Sequence, residues 1–258
     1  MRRKLILTLT ALLAVVALVA TAAAAQSQSA TVTEATGGKG GPTMAGTNFD
    51  LASVGYEGSE YFLGGTAQSY TSAQPLTVDG KWTVTPASSA PYKTRLVVYR
   101  PSDPKKFNGT VMVEWLNVSA GLDSAPIWLA AHTELIRKGY AWVGVSAQIV
   151  GVEGGGRAVV PNLDLKHADP ERYGSLVHPG DSSYDMYTQT GDAVRNDAAT
   201  LLGGLKPKHV MAAGRVAELR PHGHLRRRAW QGRRQPLRRL PRVQPGWQRR
   251  RAVAGPTG

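Results

Sequence analysis

The chain contains no cysteine. It can therefore form no disulfide, hold no thiolate-bound zinc ion and offer no cysteine nucleophile. Its stability must come from a buried core, and 258 residues are enough for one large domain or two small ones. His222 and His224 stand close together, but no carboxylate cluster accompanies them. We expect neither a metal ion nor a cofactor.

Residues 215–258 lack serine, aspartate, asparagine, isoleucine, phenylalanine, tyrosine and lysine. This stretch holds 13 of the 31 basic residues and one of the 18 acidic residues, so its net charge is +12. Residues 1–214 carry only +1 of the total of +13. The basicity that would suggest a polyanionic partner is thus confined to the C-terminal stretch. Because an arginine-dense segment buries little apolar area, we predict a disordered tail.

The longest apolar run lies near the N-terminus, from Leu5 to Ala20, and basic residues precede it. A small-residue cleavage pattern, Ala23-x-Ala25, follows directly. This order predicts a signal peptide over residues 1–25 and a secreted or cell-envelope protein. A membrane anchor is the alternative, but the run is short for a bilayer span, so we expect no stable anchor after cleavage.

Residues 26–47 are rich in Ser, Thr, Gly and Ala, which predicts a flexible lead-in to the folded domain. Aromatic residues spaced among Gly, Ser and Thr over residues 48–92 predict short antiparallel strands, with Lys81–Thr85 the clearest of them. Thr94–Arg100 predicts a further strand, which ends at Pro101 because proline donates no hydrogen bond to a sheet.

A strand, a helix and a second strand are predicted next. Thr110–Leu116 is a mostly apolar run, typical of a central strand that is covered on both faces. A helix begins near Ser124 with Pro126 in its first turn, and it ends at Gly139. Tyr140–Val145 is the second strand. A crossover of this length makes the two strands parallel.

The rest of the domain extends the same pattern. Residues 147–180 predict a long irregular loop, rich in glycine at its start, and such loops are usually functional or disordered. Apolar residues at helical spacing run from the capping pair Ser182–Ser183 to Gly203. His209–Ala213 then predicts a buried strand. The fold class is α/β, with an open, mostly parallel sheet and helices on both faces, formed by residues 48–214.

Four motifs resemble those of secreted bacterial proteins that contain an alpha/beta hydrolase domain. They are NGTVMVEWLNVSAG (Asn108–Gly121), Tyr140–Gln148, Asp169–Gly174 and His178–Asp181. The resemblance covers roughly residues 50–214 and implies a serine esterase fold with a small-molecule ester as substrate. The implied mechanism is acyl transfer by a serine in a strand-to-helix turn, with a histidine base, an orienting acid and backbone N–H donors for the oxyanion.

The resemblance places the nucleophile just after Gly214, where related chains continue Glu-Ser-Gln-Ser. This chain continues with Arg215–Glu218, Arg-Val-Ala-Glu, instead. One nucleotide inserted near the Gly214 codon would explain the change. Arg215–Leu219 can be encoded by CGA GTC GCA GAG CTC, and reading these codons from the second base gives Glu-Ser-Gln-Ser. We therefore expect an incomplete hydrolase sheet followed by a frameshifted tail over residues 215–258.

No complete triad is evident on this interpretation. Ser146 follows a strand and loosely matches the motif around a serine nucleophile, but no helix is predicted directly behind it, so it is only a weak alternative nucleophile. Val118 and Ser119 lie in the loop from which the family draws one oxyanion donor, with an ordinary strand–helix loop as the alternative. The histidines precede the expected nucleophile or lie in the tail, whereas the base of this fold comes late in the chain.

The predicted function is that of a secreted serine hydrolase of carboxylic esters, in a chain that lacks its nucleophile and is inactive as written. A non-catalytic binding module that uses the loop 147–180 is one alternative. A nucleic-acid or anionic-surface arm is another, because arginine pairs with Trp230 and Trp247 would suit phosphate contacts and base stacking. Since a frameshift explains the composition of the tail, we expect no specific nucleic-acid partner.

Overall fold

A computed structural model describes residues 30–75, 82–155 and 160–214. The strands are β1 (Thr31–Glu34), β2 (Tyr56–Thr71), β3 (Thr85–Pro101), β4 (Thr110–Trp115), β5 (Ala141–Val145) and β6 (His209–Gly214). The α-helices are α1 (Pro126–Arg137), α2 (Ile149–Glu153), α3 (Leu165–Ala168), α4 (Pro170–Tyr173), α5 (Ser183–Asn196) and α6 (Ala198–Leu201). Single turns of 3-10 helix lie at Ala52–Val54, Pro104–Lys106 and Gly180–Ser182. The six strands form one sheet in the order β1-β2-β3-β5-β4-β6.

Two long antiparallel strands, β2 and β3, form the first half of the sheet. They pair from Tyr56 opposite Pro101 to Thr71 opposite Thr85. The prediction of short strands over residues 48–92 is therefore wrong about their length, and residues 82–84 of the strand predicted at Lys81–Thr85 have no regular structure. Most of the first seven residues of β3 are exposed, so this half of the strand shows no apolar alternation that would reveal it.

The predicted strand–helix–strand unit is confirmed. β4 and β5 are parallel, with Trp115 opposite Val145 at their carboxyl ends. Pro126 opens α1, at a position whose N–H would have no partner within the helix. Beyond the last turn, Gly139 takes a φ of 69°, which ends the helix and turns the chain toward β5.

The described part of residues 147–180 holds three short helices, α2, α3 and α4, so the prediction of a long irregular loop is wrong here. Aspartates begin two of them, since Asp164 accepts a hydrogen bond from the His167 N–H and Asp169 accepts one from the Arg172 N–H. Apolar residues of this region pack together with one residue that follows β1 and one of β2, forming a cluster of Ala35, Phe62, Val152, Leu165, Tyr173 and Leu176. This burial explains why the region is ordered.

The core lies on both faces of the sheet, because α1 and α5 pack on opposite sides. Val111 and Val113 of β4 face a cluster that includes Met186 of α5. Met112, between them, faces a second cluster that includes Trp128 of α1. Alternate residues of one strand are thus buried on each face, which accounts for the continuous apolar run of β4.

The sheet is mixed. The expectation of a mostly parallel sheet holds for β4, β5 and β6, whereas β1, β2 and β3 are antiparallel and β3 is antiparallel to β5. β6 pairs with β4 and has no second neighbour within the described residues. The architecture is that of an incomplete α/β sheet, in which β6 is an edge strand among the described residues.

The lead-in predicted to be flexible is ordered over residues 30–47. β1 pairs with β2, the Lys39 N–H donates to Asp169 Oδ2, and Arg172 donates to the C=O groups of Ala35 and Gly37. The prediction is wrong there because backbone hydrogen bonds and buried charges hold the segment, together with apolar contacts of Val32, Ala35 and Met44.

Within the described ranges, no helix is long and apolar enough to cross a membrane. The signal peptide predicted over residues 1–25 and the tail predicted over residues 215–258 lie outside the described residues.

Candidate active site

The carboxyl ends of β4, β5 and β6 meet at one edge of the sheet, because the three strands are parallel and in register. After β4 the chain forms α1 on one face of the sheet. After β5 it passes through α2, α3 and α4 and then forms α5 on the other face. A crevice between two such strand ends is the usual ligand site of an open α/β sheet. In this chain Leu116 follows β4 and Ser146 follows β5 at that edge, and neither residue has exposed surface.

β6 ends beside β4 at the same edge. Gly214, its last residue, pairs with Trp115, the last residue of β4. A Cβ added to Gly214 would lie 3.1 Å from the Cβ of Trp115, so the two strands end side by side. Gly214 therefore ends β6 next to the start of the loop after β4. This is where the sequence resemblance places the nucleophile; Arg215–Glu218 themselves lie outside the described residues.

The loop after β4, residues 117–123, is called the oxyanion loop below. Its two candidate donors differ in availability. The Ser119 N–H donates to Asn117 Oδ1 at 3.0 Å. The Val118 N–H donates to no group in the described part of the chain, although the Val118 C=O accepts from the Gly121 N–H. The geometry favours Val118 over Ser119, and the oxyanion role of both stays a prediction.

Ser146 has no exposed surface, so this alternative nucleophile cannot meet a substrate. Its Oγ donates to Asp123 Oδ2 at 2.6 Å and accepts from Arg95 Nε at 2.8 Å. A nucleophilic serine needs a free base to take its proton, whereas this carboxylate is already paired with an arginine. Ser146 is therefore a buried hydrogen-bonding residue at the end of β5.

Arg95 is also fully buried and lies between two carboxylates. Its Nη2 contacts Asp123 Oδ2 at 2.5 Å, and its Nη1 contacts Glu60 Oε1 at 3.4 Å. Burial by itself would lower the pKa of Arg95, but the charges of Asp123 and Glu60 raise it overall. Glu60 accepts further hydrogen bonds from Arg172 Nε at 2.7 Å and Tyr173 OH at 2.8 Å. Two positive and two negative side chains thus form a neutral buried network.

Three buried charged residues of the site or the core are not evident from sequence motifs: Arg95, Asp123 and Glu114. Glu114 interrupts the otherwise apolar strand β4, and Arg95 directly precedes the buried apolar run Leu96–Tyr99 of β3. A charged residue in a strand that is covered on both faces must have a buried partner, because an unpaired buried charge is very costly. That signal is present in the sequence, but it cannot identify the partners, which lie far away along the chain.

His178 and Ser183 lie together near the end of β5. His178 Nε2 is 3.3 Å from both Ser183 Oγ and the C=O of Ala147. The Gly180 N–H donates to Nδ1 at 3.1 Å, so Nδ1 is unprotonated and Nε2 carries the hydrogen. Burial lowers the pKa of His178, which favours this neutral ring. Since an N–H faces the serine, His178 cannot accept its proton, and the pair is structural.

The other histidines of the described ranges do not complete a triad. His167 Nδ1 is 2.8 Å from Asp164 Oδ2, but no serine contacts this pair in the described residues. His132 lies in the middle of α1, and His209 opens β6 at the amino end of the strand. Within the same residues, no three metal-ligating side chains are grouped.

A cleft of about 620 Å³ lies elsewhere, over β2. Residues between 34 and 60 line most of it, together with Tyr99 and Arg172. β2 is separated from β4 by two strands, and the lining residues Glu60 and Arg172 are already paired with each other. The cleft therefore lies away from the carboxyl ends of β4, β5 and β6.

Comparison with protein families matches residues 19–217 to a family described as "Alpha/beta hydrolase domain". The match spans well over half of the chain. The chain belongs to this family. The confirmed fold class agrees with the match, which includes β1 to β6 and the oxyanion loop and ends just beyond Gly214.

Among solved structures, this alpha/beta hydrolase is similar to two esterases. One is a serine-to-alanine mutant of the esterase Est22, with 14% identity, coverage of 64% of this chain and 36% of that chain, and a TM-score of 0.30. The other is a ligand-bound form of LipA, a rice cell wall degrading esterase from Xanthomonas oryzae, with 14% identity, coverage of 64% and 38%, and a TM-score of 0.26. This chain thus spans less than two fifths of either protein. Comparison with curated proteins gives no match.

Proposed function

We propose that this alpha/beta hydrolase derives from a secreted serine esterase of small-molecule carboxylic esters, and that the 258-residue chain itself is inactive. The parent nucleophile is the serine that the alternative reading frame places two residues after Gly214. The observation that carries the proposal is the position of Gly214, which ends β6 beside the oxyanion loop. A nucleophile there would stand next to Val118, whose N–H donates to no group in the described residues.

The chemistry of this arrangement is acyl transfer. The serine oxygen attacks the ester carbonyl carbon, and the Val118 N–H, together with the amide after the nucleophile, stabilises the oxyanion. The histidine takes the serine proton during the attack and gives it to the departing alcohol, and water then releases the acid from the acyl-enzyme. In this fold the acid and the histidine follow the nucleophile along the chain. A frameshift after Gly214 removes them together with the serine.

Two independent features support a frameshift at this point. The family match ends at residue 217, close to the place where the altered frame restores the expected motif. Residues 215–258 lack seven residue types that are common in folded domains, and they are dense in arginine. A change of reading frame explains both features at once.

We test the proposal by deleting one nucleotide at the Gly214 codon and comparing the frame-restored protein with the 258-residue chain. The restored protein should react with a fluorophosphonate serine probe and hydrolyse p-nitrophenyl acetate, and the 258-residue chain should do neither. Alanine in place of the restored serine is the matched control. Probe labelling of the 258-residue chain would overturn the proposal, as would a folded restored protein without esterase activity.

Export through the signal peptide over residues 1–25 is part of the same proposal. When the full gene is expressed with its own leader, the mature protein should begin at Gln26 and appear outside the cytoplasm, as measured by N-terminal sequencing of each cell fraction. Replacing Arg2, Arg3 and Lys4 with glutamate should retain the precursor in the cell. An uncleaved N-terminus in the membrane fraction would favour the anchor instead.

A further inference from the structure

The oxyanion loop is bound at both ends to residues 146–151, here called the clamp segment. Ser146 Oγ donates to Asp123 Oδ2 at 2.6 Å. Gln148 Nε2 donates to the C=O of Leu116 at 2.8 Å. Leu116 immediately precedes the loop and Asp123 ends it, so the segment that follows β5 holds the loop that follows β4.

A third contact requires a residue without a side chain. A Cβ added to Gly151 would overlap Asp123 Oδ1 and lie 2.8 Å from Val118 Cγ1. Gly151 is buried, and so are the two residues it contacts. Asp123 Oδ1 has no hydrogen-bond partner within the described residues, because it packs against the bare backbone of Gly151. The candidate donor Val118 and the loop-end residue Asp123 therefore both pack against the backbone at Gly151.

A buried charge fixes the loop end more firmly. Arg95 Nη2 contacts the same Asp123 oxygen that Ser146 contacts, at 2.5 Å, and neither charged side chain has exposed surface. Hydrogen bonds to charged groups are stronger than those between neutral groups, and a lost buried partner is costly. Arg95 supplies the charge that compensates Asp123, and the hydrogen bond from Ser146 Oγ links this ion pair to the end of β5.

We infer that Ser146, Gln148 and Gly151 are positioning residues, which hold the oxyanion loop and its Val118 N–H beside the carboxyl end of β6. None of the three contacts the reacting atoms. The catalytic value of this arrangement rests on the proposed function, whereas the fixing of the loop is a property of the 258-residue chain itself.

The first test measures amide hydrogen exchange in the 258-residue chain. Ser146→Ala removes the bond to Asp123, and Gly151→Ala displaces Asp123 and Val118. The amides of Asn117, Ser124 and Ala125, which are hydrogen-bonded at the two ends of the loop, should exchange about tenfold faster in both variants. Ser183→Ala and Gly191→Ala are matched controls and should leave these amides unchanged.

The second test uses the frame-restored enzyme. In Ser146→Ala and Gly151→Ala, kcat should fall about tenfold to a hundredfold, while KM stays within about twofold and titration with the serine probe counts the same number of active sites. A merely destabilised enzyme would instead lose titratable sites and keep its kcat per site. Ser183→Ala should behave like the restored parent.

The outcomes separate the two proposals. An inactive restored parent would overturn the proposed function, and the exchange measurement would still decide whether the clamp segment holds the loop. An active parent whose Ser146→Ala and Gly151→Ala variants keep their kcat would overturn the inference alone. The inference would also be overturned if the loop amides exchanged hydrogen at the parent rate in both variants. It would be overturned equally if amide exchange became faster to the same extent throughout β4 and β5. If the 258-residue chain does not fold, the enzyme measurement decides.

Discussion

Glu114 is a charged residue near the carboxyl end of the apolar strand β4, and it has no exposed surface. Its Oε1 accepts a hydrogen bond from the Ile127 N–H at 2.7 Å, and its Oε2 accepts from the Trp128 N–H at 2.9 Å and from Trp142 Nε1 at 2.8 Å. The two backbone donors belong to the first turn of α1 and have no partner inside the helix. A single side chain of the sheet thus fixes the start of the helix that follows the oxyanion loop.

We predict that Glu114→Gln lowers the free energy of unfolding by about 2 kcal/mol, because the amide nitrogen leaves at least one buried N–H without an acceptor. Urea denaturation at neutral pH measures the change. Glu134→Gln is the matched control, since Glu134 forms an exposed ion pair with Arg137 and should contribute less than about 1 kcal/mol. Equal losses in the two variants would show that the N–H donors of α1 do not depend on the carboxylate.

His178 gives the folded chain a pH dependence with a definite sign. Burial lowers the pKa of His178 below that of an unfolded chain, although the Ala147 C=O and the nearby carboxylates of Glu153 and Asp123 act in the opposite direction. Between the lowered pKa and about 6.5, the ordinary value for histidine, the unfolded state binds more protons than the folded state. The stability that the neutral ring contributes is therefore complete above this window and is lost as the pH falls through it.

We predict that the difference in stability between the parent chain and His178→Asn shrinks as the pH falls from 7.5 to 5. Asparagine is chosen because its Oδ1 can accept from the N–H two residues ahead, as Nδ1 does from Gly180. Urea midpoints at each pH measure the difference. His209→Asn, at an exposed position, should keep the pH profile of the parent. A constant offset between parent and His178→Asn would contradict the prediction.

Residue roles at the candidate site are only partly readable from the sequence. The oxyanion loop can be predicted because it follows a buried strand in a strand–helix–strand unit. Which of Val118 and Ser119 offers a free N–H cannot be predicted, because this depends on a turn in which the Asn117 side chain accepts a hydrogen bond from the Ser119 N–H. The role of Ser146 depends on Asp123 and Arg95, and no local pattern brings those three residues together.

Among the elements, the strands β4, β5 and β6 and the helix α1 follow local patterns closely. Their apolar runs and their proline and glycine boundaries act within a few residues, so the sequence is enough to place them. β2 and β3 are harder, because their outer halves pair with each other while many side chains stay exposed. The pairing is held by backbone hydrogen bonds, to which apolar periodicity gives no clue.

Helix α1 offers a test at this scale. Gly139 has a φ of 69°, and a Cβ there would overlap the C=O of Lys106, whereas Gly204 has a φ of 86° with nothing within 4 Å. We predict that Gly139→Ala destabilises the chain by at least about 2 kcal/mol more than Gly204→Ala, because strain from the positive φ is common to both and the overlap is not. Thermal or urea unfolding measures both variants. Similar losses would show that the chain around Lys106 can move away at little cost.

On the scale of the whole molecule, the N-terminal segment is part of the fold through contacts with residues far along the chain. Arg172 of α4 donates to the C=O groups of Ala35 and Gly37 and to Glu60 of β2. Lys39 adds a backbone bond to Asp169. No property of residues 30–47 alone predicts this, because the decisive groups lie more than a hundred residues away. The same Glu60 contacts Arg95, so the network extends from the N-terminal segment to the end of the oxyanion loop.

This network predicts that Arg172→Met loosens the N-terminal segment and lowers the free energy of unfolding by about 3 kcal/mol, because Glu60 keeps its burial and loses its closest charge partner. Hydrogen exchange of the Ala35 and Lys39 amides and urea denaturation measure the two effects. Methionine replaces the arginine side chain as far as the position of Nε, so the loss reflects mainly the guanidinium charge and its donors. Arg137→Met, which removes an exposed ion pair, should change the stability by less than about 1 kcal/mol. If both variants lose the same amount, the buried charges are not what holds the segment to the sheet.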